Sequence, residues 1–365
     1  MLKKEVKYSY DDISVVPAEV SEINHRSECN PYTENGNLPL FTAPMDSVVS
    51  IENFNLWEEN KINSILPRTV DVDTRLDWVV NKEVWVAFSL QEFNKFFIEE
   101  SIVPKGKVLI DIANGHMESL YKSVEGAKII NPDLIVMVGN VANPETYRRA
   151  TKAGVDYIRV GVGSGRGCVT SSNVSIHFPL ASLISELVEV RENMKIFSHY
   201  RKFPKIVADG GVRGYSHVIK ALALGADYVM IGSVFTKMIE SASPISIKNE
   251  EGKWEIIEYS PRTLKYEDGK FYQYRDMKWC EVELRKDYYG MASKKGQIAM
   301  NGIKTRTSEG LCTTLPVTYT MKSWVENMTD YLRSAMSYTN SRTLEDLKQV
   351  ECVINSPATI GSINK

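Results

Sequence analysis

One decapeptide carries the clearest chemical signal in this sequence. Residues 161–170 read Gly-Val-Gly-Ser-Gly-Arg-Gly-Cys-Val-Thr, with glycine at alternate positions, then a cysteine, then a hydroxyl two residues on. Glycine lets backbone N–H and C=O groups approach a ligand closely. A thiol delivered by such a loop suits nucleophilic attack, with the thiolate as the reactive form. On the loop alone, the alternative is that Cys168 is a small hydrophobe in a surface turn. A second signal lies further on, where Asp209-Gly210-Gly211 and Gly232-Ser233 each close an apolar run. Taken singly, such glycines only turn the chain. Taken with the cysteine loop, they suit a nucleotide or sugar phosphate held by backbone amides.

These residues need a scaffold, and the apolar runs supply one. Leu38–Met45, Ile62–Pro67, Val84–Ser89, Val108–Ile112, Leu134–Gly139, Tyr157–Val162, Ile206–Asp209 and Tyr228–Gly232 are short, rich in Val and Ile, and continuously apolar. That pattern predicts strands buried on both faces. Helical spacing appears between them at Met117–Ile130, Pro144–Ala153, Pro179–Ser198 and Tyr215–Leu224. Eight β-then-α units predict an α/β fold, a (β/α)8 TIM barrel, with a doubly wound open sheet as the alternative. In such a barrel the working face lies at the C-terminal ends of the strands. The Cys168 loop falls there, in the long interval between the sixth and seventh strands. A second long excursion, Pro244 to Thr320, contains hairpin-like turns at Glu250-Glu-Gly-Lys and Glu267-Asp-Gly-Lys. It reads as a β-rich arm and flap over the barrel mouth, after which a helix over Lys322–Tyr338 closes the barrel.

Composition limits the partners. The 365 residues are 43% hydrophobic and carry a formal net charge of −2, which offers no general attraction to nucleic acid or to an anionic membrane. The first residues lack an apolar signal core and no stretch is long and apolar enough to span a bilayer, so a cytoplasmic protein is expected. Five scattered cysteines (29, 168, 280, 312 and 352) form no CxxC pair, which suggests neither a disulfide framework nor a zinc site.

Many short motifs in order resemble the IMP dehydrogenase/GMP reductase family. They include Tyr10-Asp-Asp-Ile-Ser-Val-Val-Pro17, Arg26-Ser-Glu-Cys29, Ala43-Pro-Met-Asp46, Asp111-Ile-Ala-Asn-Gly115, Gly139-Asn-Val141 and the Cys168 loop. Further along come Ala208-Asp-Gly-Gly211, Gly225–Ser233, Tyr289-Gly-Met291, Ser308-Glu-Gly310 and Leu332-Arg-Ser334. The resemblance implies a (β/α)8 barrel in a homotetramer that converts purine mononucleotides at C2 through a covalent cysteine adduct. The interval from Ile62 to Val84 leaves no room for the paired CBS domains of typical IMP dehydrogenases. No Arg-Tyr pair, which in those enzymes activates water, occurs between Met291 and Glu309, and Arg306-Thr-Ser-Glu-Gly310 resembles the corresponding stretch of GMP reductases. The expectation is therefore one catalytic barrel over residues 1–365 with an inserted arm at 244–320. Its expected reaction is NADPH-dependent reductive deamination of GMP to IMP and ammonia. An IMP dehydrogenase without CBS domains, or a barrel that binds a purine nucleotide without turnover, are the alternatives.

The resemblance also implies roles. Cys168 would be the nucleophile, and Thr170 with Glu309 the relay that protonates the leaving ammonia. Asp209, Gly210, Gly211, Gly232 and Ser233 would hold ribose and phosphate, while Gly290, Met291, Ala292, Arg306, Ser308 and Gly310 would surround the base. Arg68, Asp111, Ile112, Ala113 and Gly163 would contact NADPH or NADH, with Arg26 and Ser334 reaching it from a neighbouring subunit. Carbonyls of Gly163, Gly165 and Cys168 would take a monovalent cation such as K+. Three features depart from the family. Arg166-Gly167 stands where Ser then Ile or Val is usual, which makes Arg166 a phosphate candidate. Ser171–Pro179, with His177, replaces a basic continuation, and Ser246–Asp287 is longer than in ordinary GMP reductases.

Overall fold

The computed structural model describes residues 4–103, 105–249, 251–301, 307–348 and 350–363. After a short strand β1 (Ile13–Val15), the apolar runs form β2 (Leu40–Thr42), β3 (Ile65–Leu66), β4 (Trp85–Phe88), β5 (Gly106–Asp111), β6 (Leu134–Val141), β7 (Tyr157–Val160), β8 (Lys205–Asp209) and β9 (Tyr228–Ile231). All eight strands from β2 to β9 are parallel, in the order β2-β9-β8-β7-β6-β5-β4-β3. A parallel bridge between Phe41 and Asn63 brings the two edges together, so the sheet nearly closes into a (β/α)8 barrel. Each strand is followed by a helix: α1 (Phe54–Glu59), α2 (Val72–Asp77), α3 (Leu90–Asn94), α4 (Glu118–Ile130), α5 (Thr146–Lys152), α6 (Leu180–Phe197), α7 (Tyr215–Ala223) and the single turn α8 (Ser233–Thr236).

The barrel has two unlike ends. Trp85, Tyr157 and Tyr228 begin β4, β7 and β9, and they pack with Phe41 at ring-centroid separations of 5.0 to 6.2 Å. This aromatic plug fills the N-terminal end. Charged residues, among them Asp111 and Asp209, close the other end. A ligand is thus admitted at one face only.

The excursion after β9 builds two small antiparallel sheets. Strands β10 (Ile245–Lys248), β11 (Trp254–Ile257), β15 (Leu284–Tyr289) and β16 (Cys312–Pro316) pair in the order β11-β10-β15-β16, and β12 (Leu264–Glu267), β13 (Lys270–Arg275) and β14 (Lys278–Glu281) form the second sheet. Glu267 pairs with Lys270 around Asp268 and Gly269, both at positive φ, as the Asp-Gly signal predicts. Ile245, Ile247, Leu264, Phe271, Leu284 and Val317 bury a common apolar face between the sheets.

Lys286 of β15 pins this arm to the barrel. Its fully buried Nζ lies 3.1, 2.8 and 2.6 Å from the carbonyls of Met238, Ile239 and Ser241, and 2.9 Å from Ser241 Oγ. Burial pulls the amine down to about 7, against four oxygen acceptors that favour its charged form. Beyond the arm come α9 (Lys294–Asn301) and α10 (Met321–Tyr338), the latter burying Trp324, Met328, Leu332 and Met336. Near the end of the described chain, β17 (Cys352–Ile354) pairs antiparallel with β1.

Candidate active site

At the polar end of the barrel a cavity of about 1810 Å3 is lined by Cys168, Thr170 and Glu309. Cys168 N donates to Gly165 O at 3.0 Å, which turns the loop and leaves the thiol facing the cavity. The thiol donates to Thr170 Oγ1 at 3.2 Å, and the Thr170 hydroxyl donates to Glu309 Oε2 at 3.4 Å. Three groups from segments 139 residues apart in sequence thus form one chain of proton donors and acceptors.

Backbone pairing brings Glu309 there. Cys168 and Gly310 form an antiparallel bridge, in which Val169 N donates to Glu309 O at 3.1 Å and Leu311 N to Gly167 O at 2.8 Å. The approach leaves no room for side chains. A Cβ on Gly167 would lie 2.9 Å from Gly290 N, one on Gly290 would lie 2.7 Å from Gly167 O, and one on Gly310 would lie 2.7 Å from Ser293 N. These three glycines let the cysteine loop, the start of the flap and its return lie backbone against backbone.

Beneath the thiol lies an ionic floor. Arg159 of β7 donates to Asp111 Oδ1 at 2.6 Å and to Asp209 Oδ2 at 2.9 Å, so one guanidinium joins the ends of β5 and β8. Burial opposes its charge, but Asp209 and Asp111 outweigh burial and hold the guanidinium above its ordinary value. Asn140, at an irregularity in β6, donates to Gly161 O at 2.8 Å and to Asp209 Oδ2 at 2.7 Å. Both bonds to Asp209 fall on Oδ2. Arg68 Nη1 donates to Asp111 O at 3.1 Å, while its buried Nε has no partner.

Most of the residues singled out in the sequence line this cavity. They are Cys168, Thr170, Glu309, Arg166, Asp209, Gly210, Gly211, Gly232, Ser233, Gly290, Met291, Ala292, Arg68, Asp111, Ile112, Ala113, Gly163 and Gly165. Ser308 and Gly310 do not. The Ser308 hydroxyl turns back to Gly310 O at 2.7 Å, so the pair shapes the segment that presents Glu309. Arg26 and Ser334 border a separate groove of about 480 Å3 with Ser337 and Tyr338. Arg306 lies outside the described residues. The Gly163 and Gly165 carbonyls accept from Ser171 Oγ and Cys168 N, each at 3.0 Å. His177 Nδ1 lies 3.0 Å from Val162 O, which gives that histidine a role in shaping the loop.

Other lining residues carried no sequence signal. Arg159 sits inside an apolar run, and Tyr288 and Lys237 lie in stretches without a motif. The Tyr288 hydroxyl lies 3.2 Å from where a Cβ on Gly232 would be, and burial raises its phenol, with Asp209 and Cys168 adding to the effect. Among the described residues no group of three or more His, Cys, Asp or Glu could hold a metal ion, and no helix is long and apolar enough to cross a membrane.

The IMP dehydrogenase / GMP reductase domain model matches residues 105–361. The chain is 28% identical over 362 residues to the GMP reductase of Bacillus subtilis (strain 168), covering 95% of both proteins. It is 27% identical over 363 residues to the GMP reductase of Lactobacillus delbrueckii subsp. bulgaricus, covering 95% of this chain and 94% of the relative. For the GMP reductase of Staphylococcus aureus (strain Newman) the identity is 28% over 367 residues, with 95% and 96% covered. With the family match spanning most of its length and the cysteine loop at the barrel mouth, the chain belongs to the IMP dehydrogenase / GMP reductase domain family.

Proposed function

We propose that this protein is an oxidoreductase acting on purine nucleotides, and specifically that it reduces GMP to IMP and ammonia with NADPH. The observation that carries this reading is the Cys168–Thr170–Glu309 chain. Water activation by an Arg-Tyr pair, which IMP oxidation would require of a family member, has no counterpart between Met291 and Glu309.

In this reading the Cys168 proton passes through the Thr170 hydroxyl to Glu309, and the thiolate adds to C2 of the guanine base. Glu309 returns that proton through Thr170 to the C2 amine. The C2–N bond breaks, ammonia leaves, and the sulfur remains bonded to C2. A reduced nicotinamide supplies the hydride that C2 then requires. Return of the electron pair to sulfur breaks the C–S bond and frees IMP. One proton from solvent balances the sum of GMP, NADPH, IMP, ammonia and NADP+.

Asp209, with Oδ2 already committed, offers Oδ1 to the ribose hydroxyls. Gly210, Gly232 and Ser233 offer backbone amides to the phosphate, while Gly211 N donates to Ser164 O at 3.1 Å and ties that turn to the cysteine loop. Met291, Ala292 and Gly290 border the base, and Arg306 is assigned to it by the family resemblance alone. Arg68, Asp111, Ile112, Ala113 and Gly163 suit the cofactor, because the buried, unpartnered Arg68 Nε is a donor awaiting an acceptor. Each of the Gly163 and Gly165 carbonyls keeps a second lone pair, so K+ fits there as a stiffener of the loop. The reading extends to one catalytic unit with its 244–320 arm and no CBS module, working in the cytoplasm as a homotetramer in which Arg26 and Ser334 serve a neighbouring subunit.

Absorbance at the reduced-nicotinamide band tests the assignment. GMP with NADPH should be consumed, while IMP with NAD+ should give little or no XMP. Steady XMP formation without GMP-dependent NADPH oxidation assigns the dehydrogenase reaction instead. A GMP-induced thermal shift without turnover in either direction assigns a binding protein.

A further inference from the structure

The cavity wall holds two cations that have no counter-ion among the described residues. Arg166 and Lys237 both line it, together with Gly211, Gly232 and Ser233. Among the described residues neither side chain forms an ion pair or a hydrogen bond. Burial lowers the Lys237 ammonium, and the positive charge of Arg166 lowers it further, so the two groups stand close enough to repel each other. In the same cavity wall, the buried Ser164 hydroxyl also lacks a partner among the described residues. A partly buried ammonium beside a like charge is costly unless an anion completes the pair.

We propose that Lys237 and Arg166 together seat the dianionic phosphomonoester of the nucleotide, with Lys237 as a residue that sets preference for phosphorylated over unphosphorylated ligands. The base and ribose of this ligand rest on the purine-nucleotide reading above; the phosphate seat does not depend on which base is bound. The charges match: a monoester near neutral pH carries close to two negative charges, and the seat supplies two positive ones. An unphosphorylated nucleoside leaves both cations uncompensated. Arg166 can meet two phosphate oxygens with its planar fork, and Lys237 acts as a point charge from the β9 side. Lys237 is held in place by its backbone, since its carbonyl accepts Thr318 N at 3.0 Å and its amide donates to Val234 O at 3.2 Å. The side chain therefore projects from a fixed base.

Calorimetric titration of the full-length protein with ribose 5-phosphate and with guanosine tests this seat. Lys237→Met keeps the length and apolar stem of the side chain and removes its charge. It should weaken ribose 5-phosphate at least tenfold and leave guanosine within twofold. Lys237→Arg should recover most of the loss, and Arg166→Met should weaken ribose 5-phosphate to a similar degree. Without ligand, Lys237→Met should melt no lower than wild type, because it removes a repulsion; this also checks that the variant folds. Ribose 5-phosphate binding by Lys237→Met within twofold of wild type overturns the proposal, as does an absence of binding by the wild type. If ribose 5-phosphate binds as expected but GMP supports no turnover, the phosphate seat stands and the GMP reductase reading fails.

Discussion

The Gly167 carbonyl accepts the Leu311 amide at 2.8 Å, which makes the segment before the reactive cysteine and the segment after Glu309 parts of one β-bridge. Nucleophile and acid are therefore positioned by a shared backbone, and their separation does not depend on side-chain packing alone. This geometry separates binding from chemistry in ways that substitutions can read.

Cys168→Ala removes the sulfur and leaves the glycine cradles and the ionic floor untouched. GMP should bind with little change by calorimetry, while NADPH oxidation should fall to background. A residual rate of one tenth corresponds to only about 1.4 kcal/mol of barrier, and would rule out an obligatory covalent adduct.

Glu309→Gln keeps the shape of the acid and its place on the bridge but cannot hold the proton in transit. Ammonia release in a single turnover should slow by about 10² or more, the range for a lost general acid. GMP affinity should stay within a few fold. A comparable fall with Thr170→Val would place the hydroxyl on the proton's path; a full rate with that variant would mean that Glu309 reaches the amine directly.

Arg159→Leu leaves Asp111 and Asp209 facing one another without their shared cation. Stranding the partners of a buried ion pair costs about 3–5 kcal/mol. Urea unfolding should show a loss on that scale, partly recovered when Asp111→Asn is added. A loss below about 1 kcal/mol would mean that water already screens the floor.

Lys286 gives stability a pH dependence of known sign. Its folded-state value is pulled down from 10.5 to about 7. Between those values the unfolded chain binds more protons than the folded one, so the site's contribution to stability rises with pH through that window. The ceiling is about 1.4 kcal/mol per pH unit, and the four oxygens around Nζ hold the slope below it. Wild type should therefore gain stability relative to Lys286→Met from pH 7 to pH 9. An unchanged difference would mean that those oxygens keep the amine charged throughout.

The barrel was legible in the sequence because its strands are buried on both faces. Runs such as Val84–Ser89 contain the observed Trp85–Phe88, and the expected helix at Pro179–Ser198 contains Leu180–Phe197. The arm was legible only where glycine marked a turn. Glu267-Asp-Gly-Lys announced its hairpin, whereas the turn from β13 to β14 uses Asp276 and Met277, both at positive φ without a glycine, and its strand Lys278–Glu281 alternates no apolar residues. The site divided in the same way. Motif residues around Cys168 and Asp209 could be named in advance. Arg159 and Lys237 could not, since their importance arises from partners 48 or more residues away or, among the described residues, from the absence of any. Ser308 carried a motif, yet its hydroxyl is spent on the carbonyl of Gly310 two residues on.

The contact among Gly167, Gly290 and Gly310 also bears on how this barrel can change over evolutionary time. Any side chain at one of these positions would have to displace a neighbouring main chain by several tenths of an ångström, so the three should be nearly immutable in a saturation screen. Residue 166, next to the first of them, is exposed and free of such crowding. Inherited novelty in ligand choice is thereby channelled to the margins of the bridge, where a residue such as Arg166 can be exchanged while the alignment of thiol and acid is passed on intact.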